Sequence, residues 1–570
     1  MSVIRLIKKL LFELLKQEYQ LSEKQALSIQ IELNTSDSKD FGDVTCNAAL
    51  VLAKELKLNP RAVAQQIKEK IEAEQKLSQY IASIDIAGPG FINIFFHENT
   101  WQTIAHELFT HHNELFQPEQ SEQAKPRKKY LLEFVSANPT GPLHLGHGRG
   151  GIIGDVLANV LGFLGHEAHR EFYINDAGAQ IEKLGRSFKA RCYQELEQPI
   201  EFPDDGYAGE YLIELAKECL EKHGNSLLEK EDYFFQEYAK EQLLEQIKQT
   251  LDRYGIQFDR WFSERQLHKS GAVEQVIQLL RDKGLVYKKD DATWFQSTKF
   301  GDDKDRVVKK SDGTLTYIAA DIAYHKDKFD RGYDKLIDIL GQDHHGYVTR
   351  LKATLESVIE KKDCLDVILY QLVSIKSCGE QVKMSKRAGT FEKLEDVIEK
   401  VGTDVARFFY LNRKANAHLD FDLDTALKKT EENPAYYIQY SYVRTNSLFE
   451  KAGKIDALRL FVEALQTGDT KKERIKEAAS HVDQAAIALI KKISSLETVL
   501  STVASTYQTH LLSYYTLELA RMFHAYYAGN KIINPDDIET SKSRLLLTKL
   551  VQQTLDLCLD LLGLSKPKRM

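Results

Sequence analysis

Two histidines, His144 and His147, lie three residues apart in SANPTGPLHLGHGRGG (136–151), a segment otherwise rich in glycine and proline. It follows YLLEFVS (130–136), a short apolar run typical of a buried parallel strand, and precedes the helical apolar spacing of IIGDVLANVLGFLGH (152–166). A glycine-rich turn between a strand and a helix presents free backbone amides and the positive end of the helix dipole to a ligand. This arrangement favours the binding of an anion.

The two imidazoles allow three interpretations. In the first turn of a helix their side chains could point to the same side, and each could donate a hydrogen bond to a phosphate oxygen. Gly146 has no side chain, so a flat base could lie against the backbone there. A metal site would need further ligands, and the pair could also be loop histidines without a chemical role. The nucleotide interpretation therefore needs a second motif.

The second motif is QVKMSKRAGTF (381–391), where Lys383, Lys386 and Arg387 place three cations within five residues. Cations next to small residues suit a clamp that closes on a polyphosphate. A run of charges is more often a solvated surface, so this motif is informative only together with the histidine segment.

Several further elements must position these residues. EAHREFYIN (167–175) completes a strand–helix–strand unit, and KLIDILG (335–341) and LDVILYQLV (365–373) predict later strands. The region from about 185 to 300 has charged helical patterns, which we interpret as an insertion into the sheet domain. From about 430 to residue 570 the patterns are helical.

The domain limits follow from changes in these patterns. SIDIAGPGFINIFF (83–96) alternates apolar residues on both sides of Gly-Pro-Gly, which predicts a hairpin within an α+β domain over 1–118. The polar, proline-bearing FQPEQSEQAKPRKK (116–129) is the predicted linker. We expect a catalytic domain over 119–430 and a helical domain over 431–570.

Composition excludes several classes of protein. The chain has 570 residues, 43% hydrophobic and 28% charged, with a formal net charge of −7. This charge argues against nonspecific coating of nucleic acid, so any RNA contact must depend on local basic patches. The six cysteines lie far apart, which disfavours a disulfide scaffold or a structural zinc site and fits a reducing cytosol. Charges interrupt the apolar spacing of MSVIRLIKKLLFELLKQEY, so we expect a packed helix there and not a signal peptide.

HLGH after the first strand and KMSKR after a late strand, in this order, resemble the HIGH and KMSKS signatures of class I aminoacyl-tRNA synthetases. EFVSANPTGPLHLGHGRG (133–150), TYIAADIAYHKDKF (316–329), GQDHHGY (341–347) and ENPAYYIQYSYVR (432–444) resemble arginyl-tRNA synthetases of the bacterial type. The resemblance implies an α/β fold with a Rossmann-like parallel-sheet catalytic domain, an N-terminal α+β domain and a C-terminal all-α anticodon-binding domain. One departure is Arg387 where serine is usual, which leaves open whether Lys383, Lys386 or both carry the catalytic charge.

The resemblance implies activation of L-arginine with ATP, release of pyrophosphate, and transfer of arginine to the 3′-terminal ribose of tRNA(Arg). Donors held where negative charge develops on the phosphate lower the barrier. By resemblance, the catalytic residues are His144, His147, Lys383 and Lys386. The implied ATP site also includes Gly146, His344, His345, Met384 and Ser385. Mg²⁺ would neutralise the outer phosphates, and no zinc is expected.

A guanidinium is best recognised by a carboxylate, through parallel charge-assisted hydrogen bonds. By resemblance, Glu133, Tyr317 and Asp321 hold the guanidinium of arginine. Asn138 and Gln342 would hold its α-amino and carboxyl end. An acid near the end of a strand can equally cap a helix or pair with a local lysine, and this alternative applies to Glu133 and Asp321.

Recognition of tRNA would use splayed bases stacked on aromatic rings. Related enzymes read a D-loop base with the N-terminal domain, where Phe91 could stack and Asn93 could form a hydrogen bond. A purely structural, buried Phe91 is the alternative. In the helical domain Tyr436, Tyr440 and Arg444 belong to an aromatic and basic cluster, of which one or two members could face the anticodon.

Three other functions are alternatives to this one. A cysteinyl-tRNA synthetase shares both signatures but carries a zinc-binding cysteine and histidine set that this sequence lacks. Nucleotidyltransferases with the histidine motif are typically short and lack the flanking domains. A non-catalytic tRNA-binding paralogue would have a degraded signature, whereas both are intact here. The resemblance also implies a monomer in the cytoplasm, without a membrane partner.

Overall fold

The computed structural model describes residues 2–35, 41–118, 126–359, 363–381, 393–468 and 473–570. The N-terminal region contains α1 (Val3–Tyr19), α2 (Glu23–Ser28), β1 (Ile31–Leu33), β2 (Val44–Cys46), α3 (Ala48–Leu56), α4 (Pro60–Ala73), α5 (Gln75–Ser78), β3 (Ile81–Ala87), β4 (Phe91–Phe96) and α6 (Glu98–Phe116). The strands form an antiparallel sheet in the order β1–β2–β4–β3. The predicted hairpin is confirmed, with Ile84 opposite Ile94 in β3 and β4. Helix α1 buries Ile7 and Leu11, as expected of a helix packed within its own domain.

The middle of the chain alternates strands and helices. Its elements are β5 (Lys129–Phe134), α7 (Leu145–Phe163), β6 (Glu167–Ile174), α8 (Ala179–Glu195), α9 (Glu210–His223), α10 (Asp232–Arg253), β7 (Arg260–Ser263), α11 (Glu264–Lys269), α12 (Ala272–Asp282), β8 (Val286–Lys289), β9 (Ala292–Phe295), β10 (Arg306–Lys309), α13 (Tyr317–Asp330), β11 (Lys335–Gly341), α14 (His345–Ile359), β12 (Leu365–Tyr370), β13 (Val373–Ser377), β14 (Glu380–Gln381), α15 (Leu394–Val401), α16 (Thr403–Tyr410), β15 (Leu419–Asp422) and α17 (Leu423–Ala426).

The central sheet is parallel and has the strand order β12–β11–β5–β6–β7. The chain runs outward from β5 through β6 to β7 and then crosses to β11, on the other side of β5. In such doubly wound sheets, ligands bind beyond the carboxyl ends of the strands where the order reverses. That point lies between β5 and β11. The predicted Rossmann-like parallel-sheet domain is therefore confirmed.

Two stretches differ from their sequence predictions. Within the predicted helical insertion, α8, α9 and α10 share an apolar core of their own, but β7 returns to the edge of the central sheet and β8–β10 form an antiparallel sheet. The strand predicted over 365–373 is divided, because β13 pairs with β14 and β15 in a separate sheet. Between β12 and β13 the carbonyl of Gln371 accepts a hydrogen bond from buried Arg149 at 2.8 Å, which holds the chain at this break.

Helix α7 packs closely on the ends of two strands. A Cβ at Gly154 would lie 2.4 Å from Cγ of Phe134 in β5, and one at Gly150 would lie 2.6 Å from Cε1 of Tyr370 in β12. Only glycine permits so close an approach. The glycine-rich sequence therefore brings the first turns of α7 directly onto the carboxyl ends of β5 and β12.

The C-terminal region is helical, as predicted. It comprises α18 (Pro434–Ala452), α19 (Asp456–Thr467), α20 (Glu473–Ala479), α21 (Gln484–Ser494), α22 (Leu496–Thr506), α23 (His510–Gly529) and α24 (Ile538–Leu562). Helix α24 is buried on most of its surface, packing against α18, α20, α21 and α23 and against α6 of the N-terminal region. None of the helices described here has both the length and the apolar character needed to cross a membrane.

Candidate active site

The histidine segment forms the start of α7. His144 is the N-cap residue, and its Nδ1 accepts a hydrogen bond from the amide of Gly146 at 3.1 Å. The Nδ1 of His147 accepts a hydrogen bond from the amide of His144, also at 3.1 Å. The first amides of a helix have no partners within the helix. Here two imidazoles bind such amides reciprocally, in the manner of a capping box.

These hydrogen bonds determine where the imidazole protons lie. Since each Nδ1 accepts from a backbone N–H, the proton of each neutral ring is on Nε2. The rings stack with centroids 3.6 Å apart and planes inclined by 23°, so two imidazolium charges would repel. Burial lowers the pKa of His147 to about 3 and also lowers the pKa of His144. At neutral pH both rings are therefore uncharged, and each carries an Nε2–H donor.

The histidine pair lies at the switch point of the central sheet. It follows β5 in the chain, and the charge of Asp343, in the 3₁₀ turn after β11, acts on His144. His344 and His345 come directly after Asp343, and both side chains are exposed. Gln342 is half-buried at the end of β11. The carboxyl ends of β5 and β11 thus supply residues that the sequence predicted for one site.

Asp321 lies one turn into α13, after Tyr317, whose side chain is 71% exposed at the start of the helix. The carboxylate of Asp321 accepts a hydrogen bond from the hydroxyl of Tyr347 in α14. Burial raises the pKa of Asp321, and the negative charge of Glu133 raises it further, while the bond from Tyr347 opposes this. In the described part of the chain no lysine or arginine forms an ion pair with Asp321. A bound cation would stabilise its ionised form.

Glu133, at the end of β5, already has partners within the chain. Its Oε1 accepts a hydrogen bond from Ser136 at 2.8 Å, and its Oε2 pairs with the ammonium of Lys328. Lys328 is fully buried and also binds Asp338 Oδ1 at 2.8 Å. Burial alone would lower the pKa of Lys328, but Asp338 and Glu133 raise it above its ordinary value. Glu133 thus pairs with a lysine that is distant in sequence and not with a local one, and its contact with a guanidinium stays a prediction.

His325 completes this buried network. Its Nε2 lies 2.7 Å from Asp338 Oδ2, and its Nδ1 lies 2.8 Å from the carbonyl oxygen of Asp321. Sequence reasoning did not assign His325, Lys328 or Tyr347. A signal was present for two of them, since Asp321, His325 and Lys328 are spaced i, i+4 and i+7 and so share one face of α13.

One group of possible metal ligands occurs among the described residues, formed by Glu133, His325 and Asp338. The ammonium of Lys328 binds both carboxylates of this group. A site that already holds a buried cation between its acids does not fit a metal ion.

The second motif falls outside the described residues, including Lys383, Met384, Ser385 and Lys386. The described chain reaches Gln381 in β14 and resumes at Lys393, just before α15. There the amide of Leu394 donates a hydrogen bond to the carbonyl of Leu143 at 2.7 Å. The chain that follows the second motif therefore contacts the histidine segment directly. Asn138, on the same segment, has an exposed side chain.

The two residues predicted to read RNA in the N-terminal domain have different environments. Phe91 is 38% exposed at the start of β4. Asn93 is 1% exposed, and its Oδ1 accepts a hydrogen bond from Thr45 Oγ1 at 3.2 Å. Asn93 lies in β4 directly opposite Thr45 of β2, and a base contact by Asn93 stays a prediction. Phe91 stays available at the surface.

The cluster predicted on α18 forms a stack of rings. Tyr436 and Tyr440 are parallel within 9°, with centroids 6.3 Å apart, and Tyr440 continues the stack onto His524 of α23 at 5.8 Å. The guanidinium of Arg444 lies 4.8 Å from the ring of Tyr440 and binds His524 Nδ1 at 2.6 Å. Burial, together with Arg444, lowers the pKa of His524 to about 4. This stack combines flat rings with a positive charge.

Three family models of known proteins match the N-terminal, middle and C-terminal regions of this chain. Residues 110–416 match the family model for the catalytic domain of class I (R) tRNA synthetases. Residues 438–570 match the DALR anticodon binding domain, and residues 5–96 match the N-terminal domain of arginyl-tRNA synthetases.

Individual relatives align with this chain over nearly its whole length. The chain is 40% identical to arginine–tRNA ligase 1 of Halalkalibacterium halodurans over 545 residues, which cover 95% of this chain and 94% of that one. It is 41% identical to arginine–tRNA ligase of Lawsonia intracellularis over 547 residues, covering 95% of each. The arginyl-tRNA synthetase structure from Thermus thermophilus has the same fold, with a TM-score of 0.72 over the whole of both chains at 19% identity. The chain thus belongs to the arginyl-tRNA synthetase family of class I aminoacyl-tRNA synthetases.

Proposed function

We propose that this chain is an arginine–tRNA ligase that activates L-arginine with ATP and transfers the arginyl group to the 3′-terminal ribose of tRNA(Arg). The proposal rests on two features, one beside Asp343 after β11 and the other beside Glu133 of β5. His144 and His147 supply neutral donors suited to phosphate, and Asp321 is a carboxylate with no cation partner among the described residues. Membership of the family supports the same reaction.

In the first step the carboxylate of arginine attacks the α-phosphate of ATP, and pyrophosphate leaves. Negative charge builds on the phosphate oxygens in the transition state, where the Nε2–H groups of His144 and His147 donate. Binding of the departing pyrophosphate is proposed for Lys383 and Lys386. The remaining ATP contacts are proposed for Gly146, His344, His345, Met384 and Ser385.

Recognition of arginine centres on Asp321, whose carboxylate pairs with the guanidinium. Tyr347 orients that carboxylate by its hydrogen bond. Glu133 contributes negative charge near Asp321, although its own oxygens are bound to Ser136 and Lys328. Tyr317 covers the guanidinium, and Asn138 and Gln342 hold the α-amino and carboxyl end.

Binding of tRNA uses both end domains. The ring of Phe91 stacks on a base at the N-terminal domain, and the surface of Tyr436, Tyr440 and Arg444 stacks anticodon bases. Base–aromatic stacking is worth roughly 1–3 kcal/mol per base. The net charge of −7 makes such local contacts necessary.

The donor set of the described residues does not fit a protein-held metal, so Mg²⁺ is proposed to enter on ATP, where it neutralises the β- and γ-phosphates. We propose a cytoplasmic monomer, as the family resemblance implies.

The testing experiment is ATP–pyrophosphate exchange with each amino acid, with and without the matching tRNA. We expect exchange with arginine alone among the amino acids, and only in the presence of tRNA. Exchange with another amino acid would retain the enzyme class and overturn the assignment of Asp321. Absence of exchange under every condition, with tRNA still bound, would favour a non-catalytic tRNA-binding protein.

A further inference from the structure

The helical insertion contacts the histidine segment through a tyrosine. The hydroxyl of Tyr211, in the first turn of α9, donates a hydrogen bond to the carbonyl of Thr140 at 2.6 Å. Its ring lies against Gly141, where a Cβ would be 3.3 Å from both Cζ and the hydroxyl oxygen. Burial raises the pKa of Tyr211 to about 12. The hydroxyl therefore keeps its proton at neutral pH and acts as a donor.

The insertion itself holds the ring of Tyr211 in this position. The ring packs against the apolar core shared by α8, α9 and α10. Gly209, the N-cap residue of α9, also lies against the ring, since a Cβ there would be only 2.2 Å from Cε1 of Tyr211. The backbone of Gly209 is extended (φ −61°, ψ 148°), so any residue could adopt it. Glycine is needed at this position for the space that it leaves to the ring.

A second tyrosine connects the insertion to the other end of the same loop. Tyr254, the C-cap residue of α10, is buried, and its hydroxyl donates to the carbonyl of Leu394 at 3.1 Å. The amide of Leu394 in turn donates to the carbonyl of Leu143 at 2.7 Å. The insertion is thus joined to Thr140 directly and to Leu143 through one intervening residue.

We propose that the insertion positions the histidine segment through these two hydroxyls, with Tyr211 as a positioning residue for adenylate formation. The carbonyls of Thr140 and Leu143 lie between Asn138 and His144, the residues assigned to arginine and to ATP. Fixing both carbonyls sets the distance and orientation between the two substrate contacts, and productive geometry depends on this. This inference rests on the proposed function of Asn138 and His144.

The first test is Tyr211→Phe, which keeps the ring on Gly141 and removes only the donor. We expect kcat/KM for arginine in tRNA-supported ATP–pyrophosphate exchange to fall about fivefold to tenfold, the effect of one lost hydrogen bond. Amide hydrogen exchange of residues 136–144 should become faster, without a change in the melting temperature. The matched control is Tyr193→Phe, since that hydroxyl donates to Leu228 within the insertion at 3.5 Å. The control should match the unmodified protein in all three measurements.

Gly209→Ala provides a second, independent variant. It retains the Tyr211 hydroxyl but pushes the ring from its place, so it should reproduce the loss seen with Tyr211→Phe. Because both changes break the same contact, the double variant should lose no more than either single variant. Unmodified exchange kinetics and unmodified hydrogen exchange in both single variants would overturn the inference. If the unmodified protein gives no pyrophosphate exchange, the proposed function fails, and hydrogen exchange alone then decides whether Tyr211 holds the segment.

Discussion

The ammonium of Lys328 lies 2.8 Å from the carboxylate of Asp338, and both side chains are shielded from water between α13 and the central sheet. The same ammonium binds Glu133, 195 residues away in the chain. Glu133 and Asp321 were both predicted to hold a guanidinium, but only Glu133 has a cation partner in the described structure. We therefore propose different roles for the two acids, which mutation can separate.

Asp321→Asn tests recognition of the substrate. We expect the KM for arginine in pyrophosphate exchange to rise about 100-fold, with the KM for ATP unchanged, because the amide cannot offer a charge-assisted pair to the guanidinium. Asp330→Asn is the matched control, since Asp330 lies on the same helix and pairs with Lys326 at the surface. An unchanged KM for arginine in Asp321→Asn would assign recognition to another carboxylate.

Glu133→Gln tests the buried network. Lys328 would lose one of its two carboxylates while it remains in a fully buried position. Weakening a charged hydrogen bond in such a position costs about 1–3 kcal/mol. Unfolding in urea should therefore show a lower midpoint. A midpoint equal to that of the unmodified protein would mean that Asp338 alone compensates Lys328.

His147→Asn tests the donors for phosphate. Removing one preorganised donor at a developing negative charge typically lowers kcat by about 10²–10³. We expect that loss in pyrophosphate exchange, while the affinity for tRNA in a filter-binding assay stays the same. His481→Asn changes an exposed histidine of the helical domain and serves as control. Full exchange activity in His147→Asn would remove this residue from the chemical step.

His112→Gln tests a pH dependence of stability. Burial lowers the pKa of His112 to about 4, and its Nε2 lies 2.9 Å from Thr554 Oγ1 of α24. Between about pH 6.5 and pH 4 the unfolded chain binds a proton at this residue that the folded chain does not bind. Stability is therefore full above about pH 6.5 and falls as the pH decreases, by up to about 1.4 kcal/mol per pH unit.

The variant should make the free energy of unfolding less dependent on pH, because glutamine does not titrate. Urea unfolding at about pH 7, 6 and 5 measures this, with the unmodified protein beside it. Equal slopes for the two proteins would show that His112 is protonated in the folded state as readily as in the unfolded chain.

Tyr440→Ala tests the ring stack on α18. The ring of Tyr440 is 39% exposed, and loss of one base-stacking surface should weaken tRNA binding roughly tenfold to 100-fold. Tyr514→Ala removes a similarly exposed tyrosine of the same domain, 41% exposed, that lies on α23. Equal tRNA affinities for the two variants would mean that the stack does not contact RNA.

Local patterns predicted most of the architecture. The apolar runs predicted β5 and β11, and the helical spacing predicted α7, because the periodicity of strands and helices is visible in neighbouring residues. The return of β7 to the sheet edge could not be predicted in this way. Its four residues, Arg260–Ser263, show no alternation of polar and apolar residues, and the strand depends on pairing with β6.

The candidate site was predictable to a lesser degree. Resemblance to known signatures predicted His144, His147 and Asp321 as site residues, but it gave no indication that Asn93 is only 1% exposed. The ion pair of Glu133 with Lys328 joins residues far apart in sequence, so no local sequence pattern predicts it. Tertiary packing determines which of the predicted polar side chains are exposed and which are buried.

The glycines that let α7 approach Phe134 and Tyr370 also make this helix dependent on its surroundings. Each glycine inside a helix costs about 1 kcal/mol of intrinsic helix stability relative to alanine, and the first ten residues of α7 include five, Gly146, Gly148, Gly150, Gly151 and Gly154. The start of α7 should therefore become ordered late in folding, after β5 and β12 have paired with β11. A fragment that lacks β12 would contain the histidine motif without its geometry.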